Sequence, residues 1–450
     1  MISRTQDNPR RAAYDILLRV ADGAFSDMVL DSTLSRSDFA PRDRRLVTEL
    51  VYGILRLRGK LDFALTPFCD RPLERLQPEV LWLLRLGAYQ LLELDRIPPH
   101  AAVSTTVELA RELRFDKATR LVNAVLRSLV RGRSAIVWPE PRNIRPYLQQ
   151  VCSLPAWLSK ELMRGLPNVE AQAFGESLAA APPLALRVNR LKQDPDIFLD
   201  ALIRAGHEAR PCRYAPEGVI VEKRGETSLP GDAEGWYQVQ DEASMLIAHL
   251  LDPEPGQRIL DACAAPGSKT THLAALTGNR AKILALDKYP SRVETLRRGV
   301  QRLGCQAIEA REWDLINPPD FLEPGSFERV LVDAPCSGLG VIRRNPEGRW
   351  NKTAANLREL AELQRRILDN VAPLVSSGGL LVYSLCTFSH CETDGVLDAF
   401  LAEHPEFRPE APDSLPEHWS GLFDERGTLH SYPHRHDGMD AFFAARLRRE

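Results

Sequence analysis

The chain has 450 residues, 44% hydrophobic and 26% charged, the balance of an ordinary folded protein, and at ~150 residues per domain it has room for about three. A formal net charge of −3 argues against binding nucleic acid through bulk charge, although a local groove can still be basic. Eight scattered cysteines without a C-x-x-C pair argue against a disulfide framework and a zinc site, and no window approaches the ~20 apolar residues of a membrane span.

The stretch "MISRTQDNPRRAAYDILLRV" turns polar too often for a secretory leader, so a cytoplasmic protein with reduced thiols is expected. Amphipathic spacing begins at once. "RRAAYDILLRVADG" places Ala13, Ile16, Leu17 and Val20 on one face and stops at Gly23. "PRDRRLVTELVYGILRLRGKLDFALTPF", "QPEVLWLLRLGAYQLLEL", "PHAAVSTTVELAREL" and "DKATRLVNAVLRSLVRGR" repeat the pattern and predict a helical bundle over residues 1–140. This stretch holds 22 Lys/Arg against 18 Asp/Glu, a net +4, which leaves −7 for the rest. Arg127, Arg131 and Arg133 end the last helix. They fit an RNA-contacting patch and, equally, cations that favour a helix C-terminus.

Residues 141–235 read as a linker with short helices followed by a small α/β unit. In "PPLALRVNRLK" the alternation of Leu184, Leu186 and Val188 is that of a strand. "DPDIFLDALIRAGHEA" is a helix and "GVIVEK" another strand. From residue 236 to 450 strands and helices alternate: "RILDAC", "SKTTHLAALTG", "KILALD", "YPSRVETLRRGVQRLG", "AIEAREWD", "RVLVDA" and "GLLVYSL". That order predicts an α/β domain with a parallel, doubly wound sheet.

Ligands of such sheets bind beyond the carboxyl ends of the strands. Those ends carry Asp261, Asp287, Asp314 and Asp333. The first turn, Cys263-Ala264-Ala265-Pro266-Gly267-Ser268-Lys269, places a glycine before a helix N-terminus with free N–H groups. It is neither G-x-G-x-x-G nor a Walker motif, so dinucleotides and ATP fit poorly. Asp287 is placed for the two hydroxyls of a ribose and Asp314 for an exocyclic amine such as that of adenine. Each aspartate alone could equally be a helix N-cap. Together they describe an adenosine site without a triphosphate cradle, for which S-adenosylmethionine is the economical ligand.

Two thiols stand at neighbouring strand ends, Cys336 in "LVDAPCSGLG" and Cys386 in "LLVYSLCTF". A free thiol with pKa ~8.5 is mostly protonated at neutral pH, and proximity to a sulfonium and to helix N-termini is expected to shift it toward thiolate. One such cysteine suggests a nucleophile. A pair suggests a reaction that adds a group and later removes it. Methylation of cytosine at carbon 5 has that need: a thiolate adds at carbon 6, the enamine takes the methyl, and a base removes the hydrogen before the thiolate leaves. Asp333 could hold the nitrogen edge of the ring during addition.

The segments "DACAAPGSKTTHLAAL", "LVDAPCSGLGVIRRNPEGRW", "LLVYSLCTFSHCETD" and "PHRHDGMDAFFAARLRR" resemble motifs of RNA 5-methylcytosine methyltransferases of the NOL1/NOP2/Sun family. "PPLALRVN" and "VQDEASML" resemble the motifs before them. With a NusB-like helical bundle in front, the chain is similar over nearly its whole length to the bacterial RsmB (Fmu/Sun) group. The resemblance implies a Rossmann-like S-adenosylmethionine-dependent domain and methylation of small-subunit ribosomal RNA. It implies Cys386 as nucleophile, Cys336 as the residue that assists product release, and Asp333 between cofactor and base. Cofactor positions fall on Cys263 to Lys269, Asp287, Asp314 and Asp333, and Arg343 and Arg344 fall near substrate phosphate or on a solvated loop. RNA as partner, neither DNA nor membrane, and a monomer are the further expectations.

The chain departs from the family pattern at Leu385, where threonine is usual. It also has His390-Cys391-Glu392-Thr393 for Pro-Glu-Glu-Asn, and Ser268 for glycine. Cys391 is a rival nucleophile, read as opening a helix past the strand. A non-catalytic RNA-binding or antitermination factor and a small-molecule or protein methyltransferase are the alternatives. Cys69, Cys152, Cys212 and Cys305 read as packing residues, and His434 and His436 in "PHRHDG" lack a third metal ligand nearby.

Overall fold

The computed structural model describes residues 8–410 and 416–450; residues 1–7, part of the stretch read against a leader, lie outside them. Helices α1 (Pro9–Ala21), α2 (Ser26–Ser35), α3 (Pro41–Leu65), α4 (Pro78–Leu92), α5 (Pro99–Glu112) and α6 (Asp116–Gly132) come first, then α7 (Ile144–Gln150), α8 (Ala156–Gly165) and α9 (Asn168–Ala179). The small sheet holds β1 (Leu184–Val188), β2 (Glu208–Pro211), β3 (Gly218–Lys223) and β4 (Tyr237–Val239), with α10 (Pro195–Arg204) after β1. There follow α11 (Glu242–Leu251), β5 (Arg258–Asp261), α12 (Ser268–Leu276), β6 (Lys282–Asp287), α13 (Pro290–Leu303), β7 (Ile308–Glu312) and β8 (Phe327–Asp333). The chain closes with α14 (Gly348–Asn351), α15 (Ala354–Val371), β9 (Val375–Leu385), α16 (Asp394–Glu403), β10 (Phe407–Pro409), β11 (Leu429–Ser431) and β12 (Phe442–Arg449).

Two compact units divide the chain, and the first joins residues up to Ala181 with the excursion Ile342–Lys352. Its first helix starts at Pro9 for a local reason: Asn8 caps the N–H groups of Arg10 and Arg11, and proline suits the first helical position. Apolar faces of α1 to α6 close around Leu17, Val47, Leu50, Leu83, Leu86 and Leu126. Helix α3 kinks at Leu57. There Gly59 donates its N–H to Ser153 Oγ at 2.7 Å instead of to the preceding turn. The Leu55 carbonyl so released accepts Trp350 Nε1 at 2.7 Å, and the Arg56 carbonyl accepts Arg349 Nη1 at 3.1 Å. Ser26 donates its N–H and hydroxyl to Glu347 at 3.1 and 2.7 Å. Residues 342–352 are therefore bound into the helical unit. One expectation falls here: Arg343 is buried, neither on a solvated loop nor open to phosphate, while Arg344 is half-buried.

The second unit contains both sheets. The small one is antiparallel, in the order β2-β3-β1-β4. The larger runs β10-β12-β9-β8-β5-β6-β7, with β11 beside β12. Strands β5 to β9 are parallel, as alternation with helices predicts. At the end of the chain the parallel order gives way to antiparallel pairing. Strand β12 enters antiparallel between β9 and β10, and β11 pairs antiparallel with it. Among the described residues no α-helix joins β10 to β12, and without a crossover helix a neighbouring strand returns antiparallel.

Candidate active site

The parallel strands end together, so the residues that follow them converge. Asp261, Asp287 and Asp333 are the last residues of β5, β6 and β8. Strand β7 ends at Glu312, and Asp314 stands two residues beyond rather than at the strand end itself. Between these ends lies a cavity of ≈ 500 Å³, within the ~300–1,000 Å³ of small-molecule pockets. Cys263, Ala265, Pro266, Ser268 and Lys269 line it, as do Asp287, Asp314, Asp333, Cys336 and Cys386. The same cavity takes in Tyr289, Trp313, Leu315 and Ile316, which a reading confined to acids, glycines and thiols passed over. Their sequence signal was an aromatic or apolar residue just beyond a strand.

The β5–α12 turn is set by Gly267, whose φ of +102° favours glycine and whose Cβ would lie 3.0 Å from Leu296. Ala264 is buried in the turn. Beneath it Thr270 Oγ1 donates to Asp261 Oδ2 at 2.7 Å, and burial pushes the Asp261 carboxyl up to about 7. Asp287 accepts the Ala265 N–H at 3.2 Å and the Tyr289 N–H at 3.0 Å, one on each oxygen. Each oxygen keeps a lone pair for a ribose hydroxyl. Asp314 is more open and pairs with Lys288 at 3.0 Å.

A residue of the small sheet also holds this turn. Arg187, fully buried on β1, donates to Thr271 Oγ1 at 3.0 Å, to Gln240 Oε1 at 2.6 Å and to the Ser268 carbonyl. Its signal was visible in "LALRV", a cation inside an apolar strand, which needs a buried partner. Arg187 also stands within electrostatic reach of Glu217. Glu217 lies 2.8 Å from His272 Nε2 and 3.0 Å from His249 Nε2. Burial opposes ionisation of Glu217, yet the two imidazoles hold its carboxyl well below the usual range. Burial in turn lowers His272 to about 4. A buried carboxylate with Arg187 close by is balanced by the protein's own cation, so the trio reads as an internal charge network.

The two thiols meet. Cys336 Sγ and Cys386 Sγ are 3.3 Å apart, although 50 residues separate them. Parallel pairing of β8 with β9 sets Asp333 opposite Ser384, so both chains leave the sheet at one level. Gly340 N–H donates to the Cys386 carbonyl at 3.0 Å, and a Cβ on Gly340 would fall 1.8 Å from the Ala441 carbonyl oxygen. That crowding accounts for glycine there. The protein's own groups favour the neutral form of Cys336. Its hydrogen bond with Cys386, burial, and the nearby charges of Cys386 and Glu392 push the thiol well above its ordinary value. Asp333 accepts Lys269 Nζ at 2.7 Å on one oxygen and Ser384 Oγ at 2.8 Å on the other. Its carboxylate is thereby aimed into the cavity beside the thiols.

Leu385 is buried in the apolar layer that also holds Phe443, its partner on β12, so it anchors the strand end by packing. Cys391 lies in the turn before α16 and packs against the same layer. Cys152 and Cys305 are buried and Cys69 and Cys212 partly so, in keeping with packing roles. His436 accepts the Tyr432 N–H on Nδ1 at 2.9 Å. In the helical unit the arginine cluster divides. Arg133 donates to the Leu91 carbonyl at 3.2 Å, while Arg127 and Arg131 line an open groove of ≈ 720 Å³ with Arg111 and Arg120.

Comparison with known proteins accords with this arrangement. Residues 248–448 match the 16S rRNA methyltransferase RsmB/F family, residues 7–131 the NusB family, and residues 154–228 the RsmF/B-like ferredoxin-like domain. The probable ribosomal RNA small subunit methyltransferase B of Bacillus subtilis (strain 168) is 36% identical, with 98% of each chain covered. The chain belongs to this methyltransferase family. Ribosomal RNA small subunit methyltransferase B of Pseudomonas syringae pv. tomato is 37% identical over 88% of this chain and 87% of that one. Among solved structures, PH0851 matches with a TM-score of 0.80 at 27% identity over 99% of both chains. NSun6 from Pyrococcus horikoshii with SFG gives 0.57 at 21% identity, covering 66% of this chain and 98% of that one.

The cavity fits S-adenosylmethionine, the cofactor expected from the sequence. Asp287 offers paired acceptors for a ribose, and Trp313, Leu315 and Ile316 offer apolar surface for an adenine. The anionic Asp333 stands on the wall nearest the thiols, where a sulfonium would be favoured.

Proposed function

We propose that the protein methylates carbon 5 of a cytosine in 16S ribosomal RNA through a covalent adduct of Cys386. The observation that carries this reading is the approach of two thiols to 3.3 Å beside Asp333 at one cavity. A single thiol would serve an adduct; a second at this distance serves its release.

Cys263 to Lys269, Asp287 and Asp314 would hold S-adenosylmethionine, which would supply an electrophilic methyl group. Cys386 as thiolate adds to carbon 6 of the ring and turns carbon 5 into an enamine carbon that can accept a methyl. Asp333, held by Lys269 and Ser384, retains lone pairs to receive the protonated ring nitrogen edge. Release requires transfer of the carbon 5 proton to a base, for which water suffices; the C–H electron pair re-forms the carbon 5–carbon 6 double bond as the Sγ–carbon 6 bond breaks and returns its own pair to Cys386. Cys336 stands where it assists that step. The elevated pKa of its thiol suits a group that is protonated while Cys386 attacks.

The groove lined by Arg127 and Arg131 supports RNA binding by the helical unit. Unstacking a base from structured RNA costs a few kcal/mol, and phosphate contacts offset it. No helix of the described residues is long and apolar enough to cross a membrane; action in the cytoplasm on RNA, as a monomer and without DNA, completes the proposal. Mass spectrometry of Cys336→Ala enzyme incubated with RNA and S-adenosylmethionine should show a trapped RNA adduct, absent from the double variant with Cys386→Ala. Full turnover by Cys386→Ala enzyme would overturn the assignment.

A further inference from the structure

Residue 392 follows the second thiol by six positions and lies in the turn before α16, fully buried. Its carboxylate reaches the residue directly after each cysteine. Oε1 accepts the Ser337 N–H at 2.7 Å and Gln364 Nε2 at 3.1 Å. Oε2 accepts the hydroxyl of Ser337 and, at 3.3 Å, that of Thr387. Ser337 and Thr387 hydroxyls are also 2.9 Å apart. Tyr383, inside β9, donates its hydroxyl to the Glu392 carbonyl at 2.8 Å and to Gln364 Oε1 at 3.1 Å, so the turn is tied to the strand below and to α15 beside it.

A buried carboxylate is costly unless it is well supplied with hydrogen bonds. Burial raises the Glu392 carboxyl, opposed by donors from Ser337, Gln364 and Thr387. Packing alone would be met as well by an apolar side chain. What an apolar group could not do is hold two separate loops to one acceptor.

We propose that Glu392 is the positioning residue of the thiol pair: it clamps the Cys336 loop through Ser337 and the Cys386 loop through Thr387, and so sets the distance between the two sulfurs. Its function rests on the two-thiol reading above, but its geometry can be tested apart from methyl transfer. The charge has a second consequence. Glu392 adds to the cost of ionising Cys336, so the clamp favours a protonated Cys336 while Cys386 is free to attack.

The test uses the full chain with Glu392→Gln, which keeps the size of the side chain but loses an acceptor and the charge. The first readout is cross-linking of Cys336 to Cys386 by diamide, which takes two electrons and two protons from the thiols as the disulfide forms. We expect the wild-type protein to cross-link readily and the variant at least about tenfold more slowly, the factor that a ~1.4 kcal/mol loss of alignment gives. The second is the pH profile of iodoacetamide alkylation of Cys336, read by peptide mass spectrometry with Cys386→Ala in both proteins. Removing the nearby anion should move that profile about one pH unit lower. Thr387→Val, which removes one arm, should slow cross-linking less than Glu392→Gln and serves should the latter fail to fold. Unchanged cross-linking in the Thr387→Val and Glu392→Gln proteins, with an unshifted alkylation profile, overturns the proposal. If methylation proves independent of either thiol while cross-linking still depends on Glu392, the clamp stands and the covalent reading falls.

Discussion

Two concave surfaces of the molecule treat charge in opposite ways. In the helical unit, the ≈ 720 Å³ groove between α5 and α6 turns Arg111, Arg120, Arg127 and Arg131 toward water. At the ends of the parallel strands, the charges around the ≈ 500 Å³ cavity are fastened in place: Asp333 by Lys269 and Ser384, Asp287 by two backbone N–H groups. Exposed arginines on a helix keep their side-chain freedom and meet a phosphate at whatever position it presents. Hydrogen-bonded carboxylates have given up that freedom before a ligand arrives, which is what positioning a reacting atom demands. The contrast predicts that substitutions should be severe and local in the cavity, and mild and salt-dependent in the groove.

The largest effect is expected at Asp333. Asp333→Ala removes the acceptor for the ring edge and leaves Lys269 without its partner, so single-turnover methyl transfer should fall roughly 10²- to 10⁴-fold. Retention of wild-type turnover would place the chemistry elsewhere in the cavity. A smaller effect belongs to the groove. Replacing Arg127 and Arg131 by alanine should weaken RNA binding uniformly across sequences. The slope of log K against log salt should become shallower by ~0.7–0.9 for each phosphate that the variant no longer neutralises. Affinity for S-adenosylmethionine, measured calorimetrically, should not change. An unaltered salt slope would reduce the groove to a solvated helix surface.

The smallest effect concerns stability. His272 has a folded-state pKa of about 4 against ~6.5 when unfolded. Between those values the unfolded chain binds a proton that the folded chain refuses, so stability falls as pH drops from 6.5 to 4. With ~1.4 kcal/mol per pH unit, the loss amounts to about 3 kcal/mol over the window. Thermal unfolding of wild-type and His272→Gln proteins across it should show a shallower fall in the variant. Equal slopes would mean that burial at α12 does not govern the acid response.

Much of this was legible along the chain. The amphipathic period of the first helices, the β/α alternation and three of the four strand-end acids are local patterns found where the residues indicate; Asp314 stands two residues past the end of β7. The paired thiols were legible too, since each follows an apolar strand of the same kind. Other features had no local signature. The antiparallel entry of β12 depends on which gap in the sheet remains open. The burial of Arg343 depends on an excursion whose Trp350 and Arg349 answer carbonyls released by a kink about 290 positions earlier. Arg187 stood out as a cation inside an apolar strand, but its partners under the β5–α12 turn, the Ser268 carbonyl and Thr271, had no local signature.

Residue order alone therefore displayed which reactive groups the protein carries, because thiols, carboxylates and a glycine turn declare themselves by type and by place along a strand. It also settled the two kinds of architecture, because apolar periodicity is written within a dozen residues. Tertiary structure decided how the groups meet: a sulfur-to-sulfur distance of 3.3 Å, a thiol with its pKa raised rather than lowered, and a buried glutamate joining both loops. Distances and desolvation belong to side chains brought together from distant segments, and no local pattern contains them.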